Sequence, residues 1–289
     1  MEPTETHHMM RQYLLAALVL VLAVGGGFYV YFREQNSGSV PVGQETQNPG
    51  LADYESAREP SSPASASGIS WQQTGQGWQP TGTPPDCPSP VFTAPVDLGL
   101  ATSILYPGQT RGGNYKPHGG FRFDGITDNR VTLSIPLDAV IVDGARYLVG
   151  GETQYTFDFV APCGYMYRFG HLLILPDKFQ QLADQFPTAV EGDSRTTNLS
   201  SPVAVTKGEV LATAVGVTKD TNTFVDFGVY DLRQKNAISH DPTWAAAHDP
   251  SLAPYAVCWF DLLPSEAATL IRSLPPGDPT SGKTSDYCH

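Results

Sequence analysis

The chain has 289 residues and a formal net charge of -12, from 17 Lys and Arg against 29 Asp and Glu. An acidic excess of this size provides no basic face for nucleic acid, whose phosphates need clustered Lys and Arg. Hydrophobic residues make up 40% and charged residues 16%, with 28 Gly and 25 Pro, so a globular part with heavy loop content is expected.

In chain order, residues 1–11 form a short N-terminal tail, and no charged residue occurs from Gln12 to Phe32. The apolar run Tyr13 to Val24 continues through Gly25, Gly26 and Gly27 into Phe28 to Phe32. About 20 apolar residues cover a hydrocarbon core of roughly 30 Å, which predicts a transmembrane anchor over 12–32. The small glycines would also suit a cleaved signal peptide, but the run exceeds the roughly 7–15 residues of such a segment. Tyr29, Tyr31 and Phe32 fit an interfacial belt at the far end, and a retained anchor is preferred. Arg11 and Arg33 balance each other across the span, so charge does not set its orientation.

Residues 33–90 are rich in Ser, Gly, Pro, Thr and Gln and poor in aliphatics. Too little apolar surface is present to offset the entropy of ordering, so a flexible tether is expected, spanning on the order of 40 Å. Trp71 and Trp78 stand out in it and are assigned no role.

Cys87, Cys163, Cys258 and Cys288 all follow the apolar run, are even in number and include no C-x-x-C pair. Two disulfides in an oxidising compartment are expected, which places the folded part on the extracytoplasmic side; four unpaired thiols are the rival reading. Three pairings are open.

The remainder, 91–289, is one domain in length and mainly β in pattern. Strands are predicted at Arg130 to Ile135, Ala139 to Val142, Gln154 to Val160, Tyr165 to Phe169, Val203 to Val205, Val210 to Val215 and Thr223 to Tyr230, where Val, Ile, Tyr, Phe and Thr concentrate. Two helices are predicted: Asp177 to Phe186, where Phe179, Leu182 and Phe186 recur at helical spacing, and Glu266 to Leu274, capped by Ser265 and stopped by Pro275. Thr188 to Pro202 reads as a surface insertion. His240-Asp241-Pro242 and His248-Asp249-Pro250 read as loop caps rather than a second metal site. Asn198-Leu199-Ser200 fits a glycosylation acceptor, and no phosphate loop or nucleophile elbow occurs.

Five segments stand in an informative order. His118-Gly119-Gly120 opens a strand, Asp143-Gly144 suits a tight turn, and Gly170-His171-Leu172 closes a strand; Lys207 to Leu211 suits a hairpin, and Phe224 to Val229 a core strand. Over residues 105–235 this order resembles the lysostaphin/LytM-type zinc endopeptidases of the duplicated hybrid motif type. The resemblance implies an antiparallel β-sandwich, a groove holding one zinc, and bacterial cell-wall peptide cross-links as substrate. It further implies His118 as first metal ligand and His171 as a catalytic histidine. Arg122 falls where that family has a ligand aspartate, Asp226 where it has a ligand histidine, and Phe224 where it has a second catalytic histidine.

The three departures differ in consequence. A carboxylate at Asp226 can still bind zinc. Phe224 removes a proton carrier, a loss of about 10²–10⁴ in rate. Arg122 offers no lone pair and brings a fixed positive charge. Either Asp124 shifts in to give a His118, Asp124 and Asp226 zinc set, with His171 as general base, or Arg122 pairs with Asp226 or Asp124 and no cofactor is bound. The second is preferred. It makes the chain a membrane-anchored, non-catalytic domain that binds cell-wall peptide or glycan, or regulates a partner hydrolase. The alternatives are an active zinc endopeptidase and, should the groove be filled by Thr188 to Pro202 or by the chain after Asp231, a purely structural module.

Overall fold

The computed structural model describes residues 68–289. The expected tail 1–11, membrane span 12–32 and first part of the tether lie outside the described residues. Among the described residues no helix is long and apolar enough to cross a membrane.

The fold is mainly β and antiparallel, with few helices. Its strands are β1 (Trp71–Thr74), β2 (Gly77–Pro80), β3 (Ser103–Leu105), β4 (Gln109–Arg111), β5 (Asn114–Lys116), β6 (Gly119–Arg122), β7 (Leu133–Ser134), β8 (Ala139–Val149), β9 (Glu152–Val160), β10 (Tyr165–Ile174), β11 (Thr197–Val205), β12 (Val210–Ala212), β13 (Ala214–Val215) and β14 (Phe224–Asp231). The helices are α1 (Asp177–Ala183), α2 (Pro242–Ala247) and α3 (Ser265–Ser273). The main sheet runs β11-β8-β9-β10-β14-β6-β3, with β13 also paired to β10.

Side-chain alternation divides this sheet into two faces. Phe121, Phe157, Phe159, Tyr167, Phe169 and Phe227 point to one side and are fully buried with Trp259 and Phe260. Their rings pack closely, Phe169 on Phe227 at 4.8 Å and Phe159 on Tyr167 at 4.7 Å. Helix α1 adds Phe179 and Leu182 to this core, and α3 adds Ile271. The intervening positions, Asp158, Arg168, Gly170, Asp226 and Gly228, turn to the opposite face, where the sheet carries polar groups and open space.

Several expectations need correction. Asp143-Gly144 is not a turn: both residues lie within β8, Asp143 opposite Asp158 and Gly144 opposite Phe157. Lys207 to Leu211 is not a hairpin, because β11 pairs with β8 whereas β12 pairs with β7; the turn at Lys207 and Gly208 is a corner between sheets. Thr188 to Pro202 is only partly loop, since β11 begins at Thr197 and edges the main sheet. Helix α1 ends at Ala183 rather than Phe186, and no side chain caps α3. A third helix, α2, follows Asp241, whose carboxylate accepts from the Thr243 and Trp244 amides.

The tether also stops earlier than composition suggests. Strands β1 and β2 form a hairpin whose two tryptophans dock on the domain, Trp71 Nε1 donating to the Pro162 carbonyl at 3.1 Å and Trp78 Nε1 to that of Ser251 at 3.5 Å. Two amphipathic rings supply enough apolar area with a polar anchor to order a segment that is otherwise Gly, Gln, Thr and Pro. Both disulfides are formed, Cys87–Cys163 and Cys258–Cys288.

Candidate functional site

The site lies on the polar face where β6, β14 and β10 run side by side. Asp226 of β14 stands opposite Gly120 on one neighbour and Gly170 on the other. With no side chain on either flank, its carboxylate sits at the floor of a cavity of about 280 Å³. A Cβ on Gly228 would come within 2.9 Å of His118 Cβ, so that glycine clears the space His118 occupies.

His118 precedes β6 and directs Nε2 to Asp226 Oδ2 at 3.2 Å. Its backbone carbonyl is clasped by Arg111 Nη2 at 2.9 Å, while Arg111 Nη1 donates to the Tyr106 carbonyl at 2.6 Å. Arg111 is thus a half-buried cation with no carboxylate partner among the described residues.

His171 reaches the same oxygen from β10. The pairing of β10 with β9 slips between Phe169 and Leu172, and His171 within the slip has φ 62°, the left-handed region that a non-glycine residue adopts at a cost. The bulge turns the imidazole out of the ladder so that Nε2 lies 3.5 Å from Asp226 Oδ2. Two contacts hold the ring and backbone there: Nδ1 lies 2.6 Å from Gln154 Oε1, and the amide donates to the Tyr147 hydroxyl at 3.2 Å. Because Gln154 Nε2 donates to the Gly216 carbonyl at 2.8 Å, its Oε1 is the atom that faces His171, which assigns the proton to Nδ1. His171 Nε2 then carries a lone pair toward the cavity in the neutral ring.

Burial pushes the His171 pKa down against the opposing pull of Asp226, with His118 and Lys116 adding to the decrease. Burial works to raise Asp226, but the charge and hydrogen bond of His118, followed by His171 and Arg111, outweigh it and hold this carboxyl well below the usual range. Burial likewise pushes the Tyr147 phenol up to about 12, so it stays protonated. Arg168 forms part of the cavity wall and is neutralised by Asp158, with Nε to Oδ1 and Nη2 to Oδ2 both at 2.5 Å. Lys116 also lines the cavity and has no ion-pair partner among the described residues.

The sequence-derived site is therefore brought together only in part. His118, His171 and Asp226 converge; Asp124 and Arg122 do not join them. Arg122 pairs with Asp124 at 2.8 Å, and Asp124 also accepts from the Thr102 hydroxyl at 2.8 Å. The reason is register: Arg122 stands opposite Phe224, two positions along from the Gly120–Asp226 pair, so its guanidinium is directed to the strand end. Of the two pairs expected for Arg122, the one with Asp124 is formed and the one with Asp226 is not, and no His118, Asp124 and Asp226 set is formed. Phe224 lies against His171, ring centroids 4.4 Å apart, and supplies an apolar wall. Arg111, Lys116, Gln154 and Tyr147 carry no motif, and only the pairing of distant strands brings them to the site.

Among the described residues no group of three or more His, Cys, Asp or Glu side chains stands so as to hold a metal ion, and Arg111 and Lys116 add positive charge beside it. The groove is not filled, however. Gly192 and Ser194 of the loop before β11 border the cavity without occupying it. A neighbouring cavity of about 520 Å³, lined in part by Trp78, Asp143 and Leu252, shares Arg168 and Ser194 with it.

No protein-family model matches the chain, and neither a curated protein nor a solved structure matches it. Fold and site together define a mainly antiparallel β domain with two disulfides and a polar cavity centred on a His–Asp–His cluster.

Proposed function

We propose that the chain is a membrane-anchored, extracytoplasmic domain of LytM-like β-sandwich type that has kept the family's groove and lost its hydrolase chemistry. It binds cell-wall peptide or glycan there, or presents the groove to a partner hydrolase. One observation carries this: Asp226 is paired with His118, with His171 beside the same oxygen, while the remaining nearby carboxylate, Asp124, is committed to Arg122 and Thr102. His118 supplies a charge-assisted partner for that carboxylate from within the protein, which supports a site that works without an ion. Two disulfides, both formed, support an oxidising location. The open cavity supports a binding role over the purely structural alternative.

A specific observation favours the zinc endopeptidase as second reading. Ligand atoms on a tetrahedral zinc with bonds of about 2.0–2.2 Å stand roughly 3.3–3.6 Å apart, and the separations at Asp226 Oδ2 are 3.2 and 3.5 Å. In that case His118, His171 and Asp226 would hold the ion, which would supply Lewis acidity.

Elemental analysis of the full chain purified without chelator decides between them. The expected result is far less than one zinc per chain, unchanged in Asp226→Ala, together with cosedimentation on insoluble cell wall that Ser194→Trp weakens by crowding the cavity mouth. Near-stoichiometric zinc that disappears in Asp226→Ala would sink the non-catalytic reading.

A further inference from the structure

We propose, building on the groove-binding reading above, that the cavity over Asp226 receives the C-terminal residue of a peptide. Its carboxylate pairs with Lys116, and its backbone N–H is accepted by His171 Nε2 and Asp226. The argument starts from charge. On a chain of net charge -12, this cavity gathers Lys116 and, behind His118, Arg111 around a single carboxylate, with Arg168 already neutralised by Asp158. Lys116 ends the β4–β5 hairpin half-buried, where an ammonium without a counter-charge favours an anionic guest.

The opposite wall has the complementary need. With its proton on Nδ1 toward Gln154, His171 directs a lone pair from Nε2 beside the carboxylate oxygen of Asp226, so two acceptors face each other across 3.5 Å with no proton between them. A donor N–H from outside relieves that opposition. A group offering an anion at one end and an N–H a bond or two away is the last residue of a peptide. A phosphate monoester dianion has no such donor, and its double charge meets more repulsion from Asp226 than a single carboxylate does. A cavity of about 280 Å³ lies near the lower bound of small-ligand sites, roughly 300–1,000 Å³, and suits one terminal residue better than a chain passing through.

The test is calorimetric titration of the full chain with an N-acetylated alanine dipeptide bearing a free carboxylate, in both hands at the last residue, and with the matching C-terminal amides. For at least one hand the free acid is expected to bind at least about tenfold more tightly than its amide, the scale of a charge-assisted hydrogen bond. Lys116→Met should lose the same factor and Lys116→Arg recover part of it. Equal affinity of acid and amide, or indifference to Lys116→Met, overturns the carboxylate assignment; if the full chain still sediments with cell wall, the groove-binding reading survives. Loss of sedimentation together with absence of dipeptide binding overturns both.

Discussion

At the residue scale, the charge states around Asp226 tie the site to folding. His171 has a folded pKa below its ordinary value because burial opposes the imidazolium. Between the folded pKa and about 6.5 the unfolded chain therefore binds more protons, and stability rises with pH across that window. Asp226 is also depressed, so its contribution is fully present above the usual carboxylate value and is lost only as the pH falls toward its folded pKa. The upper part of the His171 window, just below about 6.5, lies above the usual carboxylate range, which makes His171 separable there. The unfolding midpoint is expected to fall between pH 7.5 and pH 5, and His171→Gln should flatten that slope whatever it does to the midpoint at pH 7.5; parallel slopes would contradict the assignment. Arg122 is the opposite case. Sequence spacing places it at the centre, but the ion pair it makes leaves Arg122 27% and Asp124 52% exposed. Solvent screens such a pair to about 0–1 kcal/mol. Arg122→Ala should thus cost less than about 1 kcal/mol in denaturant unfolding and leave peptide binding intact, whereas a loss of binding would return Arg122 to the site. His118, His171 and Asp226 were legible as chemistry because each is polar within an apolar or glycine-rich run; their true partners were not, because Arg111, Gln154 and Tyr147 reach them only through tertiary pairing.

At the scale of elements, legibility followed periodicity. β9 and β14 alternate large apolar residues with polar ones and fell close to their predicted ranges, whereas β10 begins where predicted and runs on past Phe169 to Ile174. What escaped was backbone irregularity: the slip in β10 that turns His171, the continuation of β8 through Asp143-Gly144, and the short strands that leave too few residues for a period. The alignment of β6 with β14 depends on a close approach rather than on a side chain. A Cβ on Gly120 would lie 2.2 Å from the Val225 carbonyl oxygen, in the ladder that sets His118 beside Asp226. Backbone is the obstacle and cannot rotate away, so Gly120→Ala should destabilise by about 1–3 kcal/mol or more, as overpacking does. Gly125→Ala, where no atom lies within 4 Å, is the control. Denaturant unfolding of the two variants checks this, and equal stability would show that the strands part without cost.

At the scale of the whole molecule, the two disulfides close loops of different length and bind different parts of the groove in place. Cys87–Cys163 spans 76 residues and fastens the segment that carries β1 and β2, hence Trp78 at the neighbouring cavity. Cys258–Cys288 spans 30 residues and fastens the C-terminal segment, where Asp286 accepts from Tyr115 at 2.8 Å and from Trp244 at 2.7 Å and so braces the β4–β5 hairpin that ends in Lys116. An even number of cysteines announced two bridges but not this pairing, which only the assembled sheet decides. In the chain-entropy picture the longer loop is worth about 4.5 kcal/mol and the shorter about 3.6 kcal/mol. Strain and residual structure in the unfolded chain lower such values, but the order should survive. The double variant Cys87→Ser with Cys163→Ser is therefore expected to lose more stability than Cys258→Ser with Cys288→Ser, measured by denaturant unfolding without reductant. Function should follow the reverse order, because the shorter loop supports the strand end that presents Lys116. Acid-over-amide discrimination should fall more in the Cys258/Cys288 pair of substitutions than in the Cys87/Cys163 pair. If both measurements rank the two bridges alike, the C-terminal brace has no part in presenting Lys116, and the hairpin must be held by β4, β5 and Arg111 alone.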